Sequence, residues 1–277
     1  MAQFLTATLT ALVPSAAKDD GSFSPPGLEE FFPAGIFFVG TPFEMNRIVL
    51  VRLLAVAVLL FLFYLGLRRA RRVPGRGQAL AEMAVGFCKT NFADDVLGEK
   101  VGRRFMPLLT GTFFGILAMN ITGIVPLLNI SSTSIFIMPL VFAMAVYVAF
   151  VYAGIKQHGG LKFFRTQLFL PGVPWPMHII LAPVELINVF IVRPLSLSLR
   201  LMLNMLVGHL LMVLCFSATH FFFVTGQDLG VLSVFGIVTL AAGVVMTLFE
   251  FVIAILQAYV FTLLTAVYIQ QSVAEEH

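Results

Sequence analysis

The chain has 277 residues, of which 59% are hydrophobic and only 11% are charged. This balance excludes a water-soluble globular protein, because a single core cannot bury so much apolar surface, and it makes a lipid bilayer the natural surroundings. The formal net charge of +3 is weak support for nucleic-acid binding, and no nucleic-acid partner is expected.

Five apolar segments follow one another along the chain. The first three each approach the roughly 20 residues that span a hydrocarbon core of about 30 Å, so each is predicted to cross the membrane once. The last two contain about 40 residues each and would form helices of about 60 Å, twice the core thickness. In chain order the segments are 48–67, 105–128, 135–155, 179–218 and 229–270.

The two long segments allow two interpretations. Each segment could fold into two short crossings, or each could be one long helix that is strongly tilted in the bilayer. Pro194 is the only candidate helix breaker within the fourth segment, and a proline in a membrane helix usually kinks it without reversing the chain. We therefore favour two long, tilted helices.

The basic residues predict the orientation. Cytoplasmic loops of membrane proteins are enriched in lysine and arginine, and here 12 of the 17 basic residues fall in two loops, 68–104 and 156–165. With five crossings, the acidic N-terminal segment should then lie outside and the C-terminus in the cytoplasm. The basic residues are Arg68, Arg69, Arg71, Arg72, Arg76, Lys89, Lys100, Arg103 and Arg104 in the first loop, and Lys156, Lys162 and Arg165 in the second.

The first basic loop contains an amphipathic pattern. Leu80, Met83, Ala84 and Phe87 recur at helical spacing among polar and charged neighbours, which predicts a helix lying on the inner membrane surface. An ordinary cytoplasmic loop helix is the alternative. Further along, Asn120 is predicted to be buried and to hold helices together.

Together these patterns predict an all-α integral membrane protein. It should have three ordinary transmembrane helices, one interfacial amphipathic helix, and two long tilted helices that form a hairpin. The predicted divisions are an outer segment (1–46), a first transmembrane helix (47–67), a basic cytoplasmic loop with the amphipathic helix (68–104), a transmembrane hairpin (105–155), a second cytoplasmic loop (156–178) and the long helical hairpin (179–277).

Arg200 is the most informative single residue. A guanidinium in mid-membrane costs roughly 2.5 to 3.5 kcal/mol and, unlike a lysine, it cannot lose its proton. No acidic residue lies three or four positions away, so an anionic partner must come from another helix or another subunit. A purely structural pairing with Glu185 or Glu250 is the alternative. Arg193 is expected to extend to the membrane surface as an anchor.

Polar residues follow one face of each long segment. At 100° per residue, Arg200 shares a stripe with Glu185, Arg193, Ser196 and Asn204, whereas His209 lies on the opposite side. No lysine or arginine follows Arg200 in the chain, so Glu250 cannot be neutralised within its own helix, which leaves protonation, a bond to His209, or Arg200. Intramembrane carboxylates and histidines beside water are the components of proton relays.

Several other chemistries are excluded by the motifs. The sequence has no phosphate-binding loop, zinc-binding H-E-x-x-H helix or G-x-S-x-G nucleophile turn. Neither a metal site nor a cofactor is expected, and the placement of Cys88 and Cys215 makes a disulfide unexpected.

Two motifs resemble the a subunit of F-type ATP synthases. Residues 200–209, RLMLNMLVGH, are similar to the family pattern R-L-x-x-N-x-x-x-G-[EH], and residues 256–261, LQAYVF, are similar to L-Q-A-[FY]-[IV]-F. The ending at 274–277 and the turn near Pro126 are also similar to the family. The resemblance extends over roughly residues 45–277.

The resemblance implies a non-catalytic stator subunit that offers two offset half-channels to a rotating ring of c subunits. Arg200 would separate the half-channels, with Asn204 one turn away and Gln257 on the facing helix. His209 and Glu250 would belong to the outer half-channel, with acid and imidazole exchanged relative to some family members, and Glu185 to the inner one. Implied partners are the c ring, b-type peripheral stalk subunits, the rest of the ATP synthase and membrane lipid.

Two rival functions remain open at this stage. A secondary transporter would use the same intramembrane residues but should show an internal repeat, which we do not find. A structural scaffold would not need polar stripes. A bacterial plasma membrane is the preferred location and a mitochondrial inner membrane the alternative, because the N-terminal segment lacks an arginine-rich presequence. The sequence leaves open whether the ion is H⁺ or Na⁺.

Overall fold

A computed structural model describes residues 35–37, 45–68, 75–125, 133, 135–160, 163, 175–225 and 233–273. Several of the predictions lie outside these residues. They are most of the outer N-terminal segment, the basic residues at 69–72, the turn at 126–132, the basic residues 162 and 165, and the C-terminal motif at 274–277.

Seven helices and one short ribbon make up most of the described structure. Strands β1 (Gly35–Phe37) and β2 (Met45–Asn46) pair in antiparallel fashion, and the rest of the regular structure in the described residues is helical. The helices are α1 (Arg47–Leu67), α2 (Arg76–Cys88), α3 (Gly98–Ile124), α4 (Ile137–His158), α5 (Trp175–Ile187), α6 (Arg193–His220) and α7 (Ser233–Val273). Three π-helical segments adjoin them, at Lys89–Leu97, Asn188–Val192 and Phe221–Thr225.

Five helical stretches are long and apolar enough to cross a membrane, as predicted. Segments joined through π-helical turns count as one stretch, so that α2 and α3 form a single stretch of 49 residues. The five stretches are Arg47–Gly66, Arg76–Ile124, Ile137–His158, Leu181–Phe223 and Val234–Val273.

Helix α7 lies at the centre of the packing. Helices α3, α4 and α6 all pack against it, and their shared core contains side chains with no exposed surface, such as Leu109, Leu201 and Ala258. Helix α1 is more peripheral. It joins the bundle through an edge-to-face contact between Phe63 and Phe114 of α3, with ring centroids 5.2 Å apart.

Aromatic contacts connect α2, the predicted amphipathic helix, and the π-helical segment after it to the bundle. Phe92, in the π-helical segment after α2, is fully buried, and its ring centroid lies 5.1 Å from that of Tyr259 of α7. Leu80 and Met83 on the opposite side of α2 stay exposed.

Asn120 is fully buried, as predicted, and it connects three parts of the chain. Its side-chain amide donates a hydrogen bond of 3.4 Å to the carbonyl oxygen of Ala254 in α7. Its oxygen accepts a hydrogen bond of 2.7 Å from the hydroxyl of Thr133. In a bilayer such bonds satisfy polar groups that lipid cannot, so Asn120 holds α3 against α7.

Helices α6 and α7 form an antiparallel hairpin with a regular register. The α7 residues that meet the opposite arm recur every seven positions, close to two helical turns. A Cβ atom added to Gly236 or Gly243 would lie 3.1 Å from a phenylalanine ring of the facing arm, so the missing side chains allow close approach. The facing pairs are Phe223–Gly236, Phe216–Gly243, Gly208–Glu250 and Asn204–Gln257.

The fifth apolar segment is thus one uninterrupted helix of 41 residues, which excludes the interpretation as two short crossings. The fourth segment is also continuous, but it contains the π-helical segment Asn188–Val192 directly before Pro194. Pro194 lies in the first turn of α6, directly after this segment, and its missing N–H removes one backbone donor from the continuous stretch. The π-helical segment, together with the proline, shifts the helical phase upstream of α6.

Candidate functional site

Arg200 lies on the face of α6 that points away from the helix bundle. Its side chain is exposed, and it makes no hydrogen bond or ion pair with any residue that the structure describes. Its neighbours on this face, Leu203 and Val207, are exposed and apolar. The alternative in which Arg200 pairs structurally with Glu185 or Glu250 is therefore wrong for the described chain.

A polar bridge lies one turn from Arg200. The side-chain amide of Asn204 donates a hydrogen bond of 2.9 Å to the side-chain oxygen of Gln257. Gln257 is only 3% exposed, and its own amide nitrogen finds no hydrogen-bond partner among the described residues. The bridge joins α7 to α6 one helical turn from Arg200.

Glu250 is buried between the arms of the hairpin. It is 1% exposed and sits against Gly208, where an added Cβ atom would lie 3.5 Å from the Cγ of Glu250. Neither carboxylate oxygen accepts a hydrogen bond from the described residues. Because burying a carboxylate without donors is costly, its presence in a membrane helix indicates a functional role.

His209 follows Gly208 directly and is also buried, at 4% exposure. It therefore faces the interior while Arg200 faces outward, in agreement with the predicted angle of about 180° between them. His209 and Glu250 belong to the same level of the hairpin, since Gly208 contacts Glu250. The helix thus carries two differently directed polar faces.

Glu185 lies in a separate polar network before α6. Its carboxylate is 3.7 Å from the guanidinium of Arg193, and the amide of Asn188 donates to it at 3.5 Å. Arg193 also donates to Gln271 at 3.2 Å and lies 5.3 Å from the ring centroid of Tyr268. The structure thus shows Arg193 as an internal link between the long helices, where the sequence suggested a surface anchor.

The predicted site residues therefore occupy three levels of the hairpin. Glu185 lies near Arg193, the pair Asn204–Gln257 lies near Arg200, and Glu250 lies near His209. From Arg193 to Arg200 the rise along a helix is about 10 Å, and from Arg200 to His209 it is about 13 Å. Gln271 and Tyr268 were not among the predicted site residues, because only the register of the two long helices brings them to Arg193.

Neither a metal site nor a disulfide occurs in the part of the chain that the structure describes. Among the described residues no group of three histidine, cysteine or acidic side chains could hold a metal ion. Cys88 and Cys215 are both free.

The comparison with known proteins identifies similar chains. Residues 49–270 match the family model described as the ATP synthase A chain. An ATP synthase subunit a from Rhodococcus erythropolis is 44% identical over 97% of this chain and 96% of its own length. Those from Paenarthrobacter aurescens and Pseudarthrobacter chlorophenolicus are 38% and 36% identical, each over 94% of this chain and 97% of its own length.

The bridge between Asn204 and Gln257 yields a testable coupling. We expect a double-mutant cycle with Asn204→Ala and Gln257→Ala to give a coupling energy of about 0.5 to 1.5 kcal/mol, typical of hydrogen bonds between membrane helices. The measurement is the free energy of unfolding in detergent micelles. The control cycle pairs Asn204→Ala with Gln271→Ala, and its effects should add. Additive effects in both cycles would contradict the bridge.

Proposed function

The chain belongs to the ATP synthase A chain family, and on that premise we propose that it provides two offset half-channels to a c ring, separated by Arg200. As a subunit a it is the proton-channel subunit of the membrane sector and is not itself catalytic. The rest of the ATP synthase is therefore its partner, and the c ring and b-type stalk subunits are its proposed direct contacts.

The observation that carries the proposal is the exposure of Arg200. An arginine on an outward membrane face, without an anion among the described residues and surrounded by Leu203 and Val207, is costly unless a partner supplies the negative charge. A c-ring carboxylate that passes this face would be such a partner. The outer face of α6 and α7 would then be the surface against which the ring turns.

The proposed mechanism is electrostatic. The guanidinium attracts each deprotonated ring carboxylate, favours release of its proton, and blocks a direct proton leak between the half-channels. The bridge of Asn204 and Gln257 would hold the two helices at this level. A proton that crosses a potential of 100 mV releases about 2.3 kcal/mol, which the ring collects as rotation.

The other two levels are assigned to the half-channels. We assign His209 and Glu250 to the outer one, because an acid and an imidazole buried at one level can pass a proton between them. Glu185 is assigned to the inner one, where its contact with Arg193 and Asn188 leaves the carboxylate partly exposed. The long helices would lie strongly tilted in the bilayer and α2 on its inner surface.

The chain is a multi-pass membrane protein, and the bacterial origin of its relatives supports a plasma-membrane location. We propose that the N-terminus lies outside and the C-terminus in the cytoplasm. This orientation places both basic loops inside, as the distribution of lysine and arginine requires.

The orientation can be tested with single cysteines in a variant that lacks Cys88 and Cys215. A cysteine at Gln3 should react with a membrane-impermeant maleimide added to intact cells, whereas a cysteine at Lys100 should react only in inverted vesicles. A membrane-permeant maleimide should label both positions and serves as the control. Labelling of Lys100→Cys from outside would contradict the proposed orientation.

The proposed role of Arg200 predicts a loss of coupling. In an assembled complex, Arg200→Ala should lower ATP-driven proton pumping and ATP synthesis by at least about 100-fold, because the ring carboxylates lose their counter-ion. Proton pumping in inverted vesicles is the measurement. Arg76→Ala, which removes an exposed arginine from the start of α2, is the matched control and should pump normally. Normal pumping by Arg200→Ala would contradict the proposal.

A paired role for His209 and Glu250 predicts that exchange is tolerated. The double variant His209→Glu/Glu250→His keeps one acid and one imidazole at this level, so it should pump better than either single variant. All three variants are compared in inverted vesicles at equal subunit content. Equal loss of pumping in all three would argue against a paired role.

A further inference from the structure

We propose that Arg104, Tyr152 and Lys156 bind the phosphate of an anionic phospholipid whose acyl chain lies along the outer face of α4. The site is separate from the polar levels of the hairpin. It lies where α3 begins and α4 ends, at the edge of both basic loops. The proposal does not depend on the roles assigned to Arg200 or to the half-channels.

Two cations converge on one tyrosine at this position. Arg104 donates a hydrogen bond to the hydroxyl of Tyr152, and its guanidinium carbon lies 5.0 Å from the ring centroid. The ammonium of Lys156 lies 5.9 Å from the same centroid. Both cations thus lie beside one ring, where each would attract a bound anion.

No acidic side chain in the described part of the chain balances these charges. Neither Arg104 nor Lys156 forms an ion pair with a described residue, and the ion pair between Arg193 and Glu185 lies at a different place. Arg104, Tyr152 and Lys156 are all exposed. Arginine and lysine are the residues that bind phosphate, and anionic lipids attract basic residues at the inner membrane surface. The exposed cluster is therefore complementary to a lipid phosphate.

An apolar stripe continues from this cluster along α4. Its residues recur at spacings of three and four, so they share one face of the helix, and each is more than a third exposed. The stripe covers about 21 Å, which is longer than one leaflet of the hydrocarbon core at about 15 Å. Its members are Val141, Met144, Val148, Tyr152 and Ile155.

The neighbouring surface of α3 leaves room for the acyl chain of the lipid. Pro107 and Gly111 are exposed there, and a Cβ atom added to Gly111 would meet no other atom within 4 Å. Both α3 and α4 pack on α7, α4 also packs on α6, and α3 and α4 make few direct contacts with each other. A surface with a cationic end and an apolar stripe fits a phospholipid better than a free anion, which would use only the cationic end.

The experiment uses the assembled complex, purified in detergent, depleted of lipid and titrated with a phosphatidylglycerol that carries a photoactivatable acyl chain. Mass spectrometry then measures labelling of the peptide 141–155. We expect saturable labelling, and Arg104→Gln/Lys156→Gln should weaken the apparent affinity roughly thirtyfold. Each basic residue near an anionic lipid contributes about 1 kcal/mol, and the loss of two such contributions corresponds to about thirtyfold. Tyr152→Phe keeps the ring and should weaken it less.

The matched control is Lys89→Gln/Arg103→Gln, which also removes two exposed cations. These residues line a different cleft, of about 310 Å³, together with Asp94 and Glu99, and labelling should not change. Only complexes that still pump protons are compared, so that misfolding does not enter. Equal affinity in the Arg104/Lys156 variant, or equal labelling by a phosphatidylcholine analogue, would overturn the proposal. Loss of labelling in millimolar inorganic phosphate would contradict a lipid site and indicate a site for a free anion.

Discussion

The contact between α6 and α7 is the constraint on which the remaining structure depends. The two helices are far longer than a perpendicular crossing requires, and they stay together because small or polar residues of α7 meet α6 at every second turn. Gly243 admits the ring of Phe216, Gly208 admits Glu250, and Asn204 bonds to Gln257. Lipid offers no hydrophobic drive to association, so close packing and such hydrogen bonds must supply the stability. Helices α3 and α4 then complete the bundle by packing on the other sides of α7.

The charged side chains of this hairpin differ in how exposed they are as well as in their position along the helices. Glu250 is enclosed between the helices, Glu185 is tied to Arg193, and Arg200 alone faces outward without an anion in the described chain. A single cation left on a lipid-facing surface is unfavourable for an isolated subunit, whereas it is suitable for one that meets a moving anion. The arrangement thus makes the isolated chain incomplete in electrostatic terms. The proposed ring would restore the balance one carboxylate at a time.

Much of the fold could be predicted from the sequence, because membrane spans depend on length and hydropathy alone. The first helix and the unbroken α7 follow directly from the apolar runs, and the opposite orientation of His209 and Arg200 follows from helical periodicity. The contact of Arg193 with Glu185, Gln271 and Tyr268 could not be predicted. It depends on the π-helical segment at Asn188–Val192, which changes the phase of the helix, and on a register between helices that hydropathy does not encode. The same limitation applies to Tyr152, because its sequence position alone does not indicate that it contacts Arg104 and Lys156.

The seven-residue recurrence on α7 has a geometric consequence. Two turns of an undistorted helix take 7.2 residues, so a contact line that repeats every seven drifts by about 20° at each repeat. Between Gly236 and Gln257 there are three repeats, and the line of contact therefore turns by about 60°. On α7, the surface that meets the opposite arm therefore winds slowly around the helix axis, and the surface left for other contacts winds with it. A partner that follows α7 along its length must consequently present a curved face.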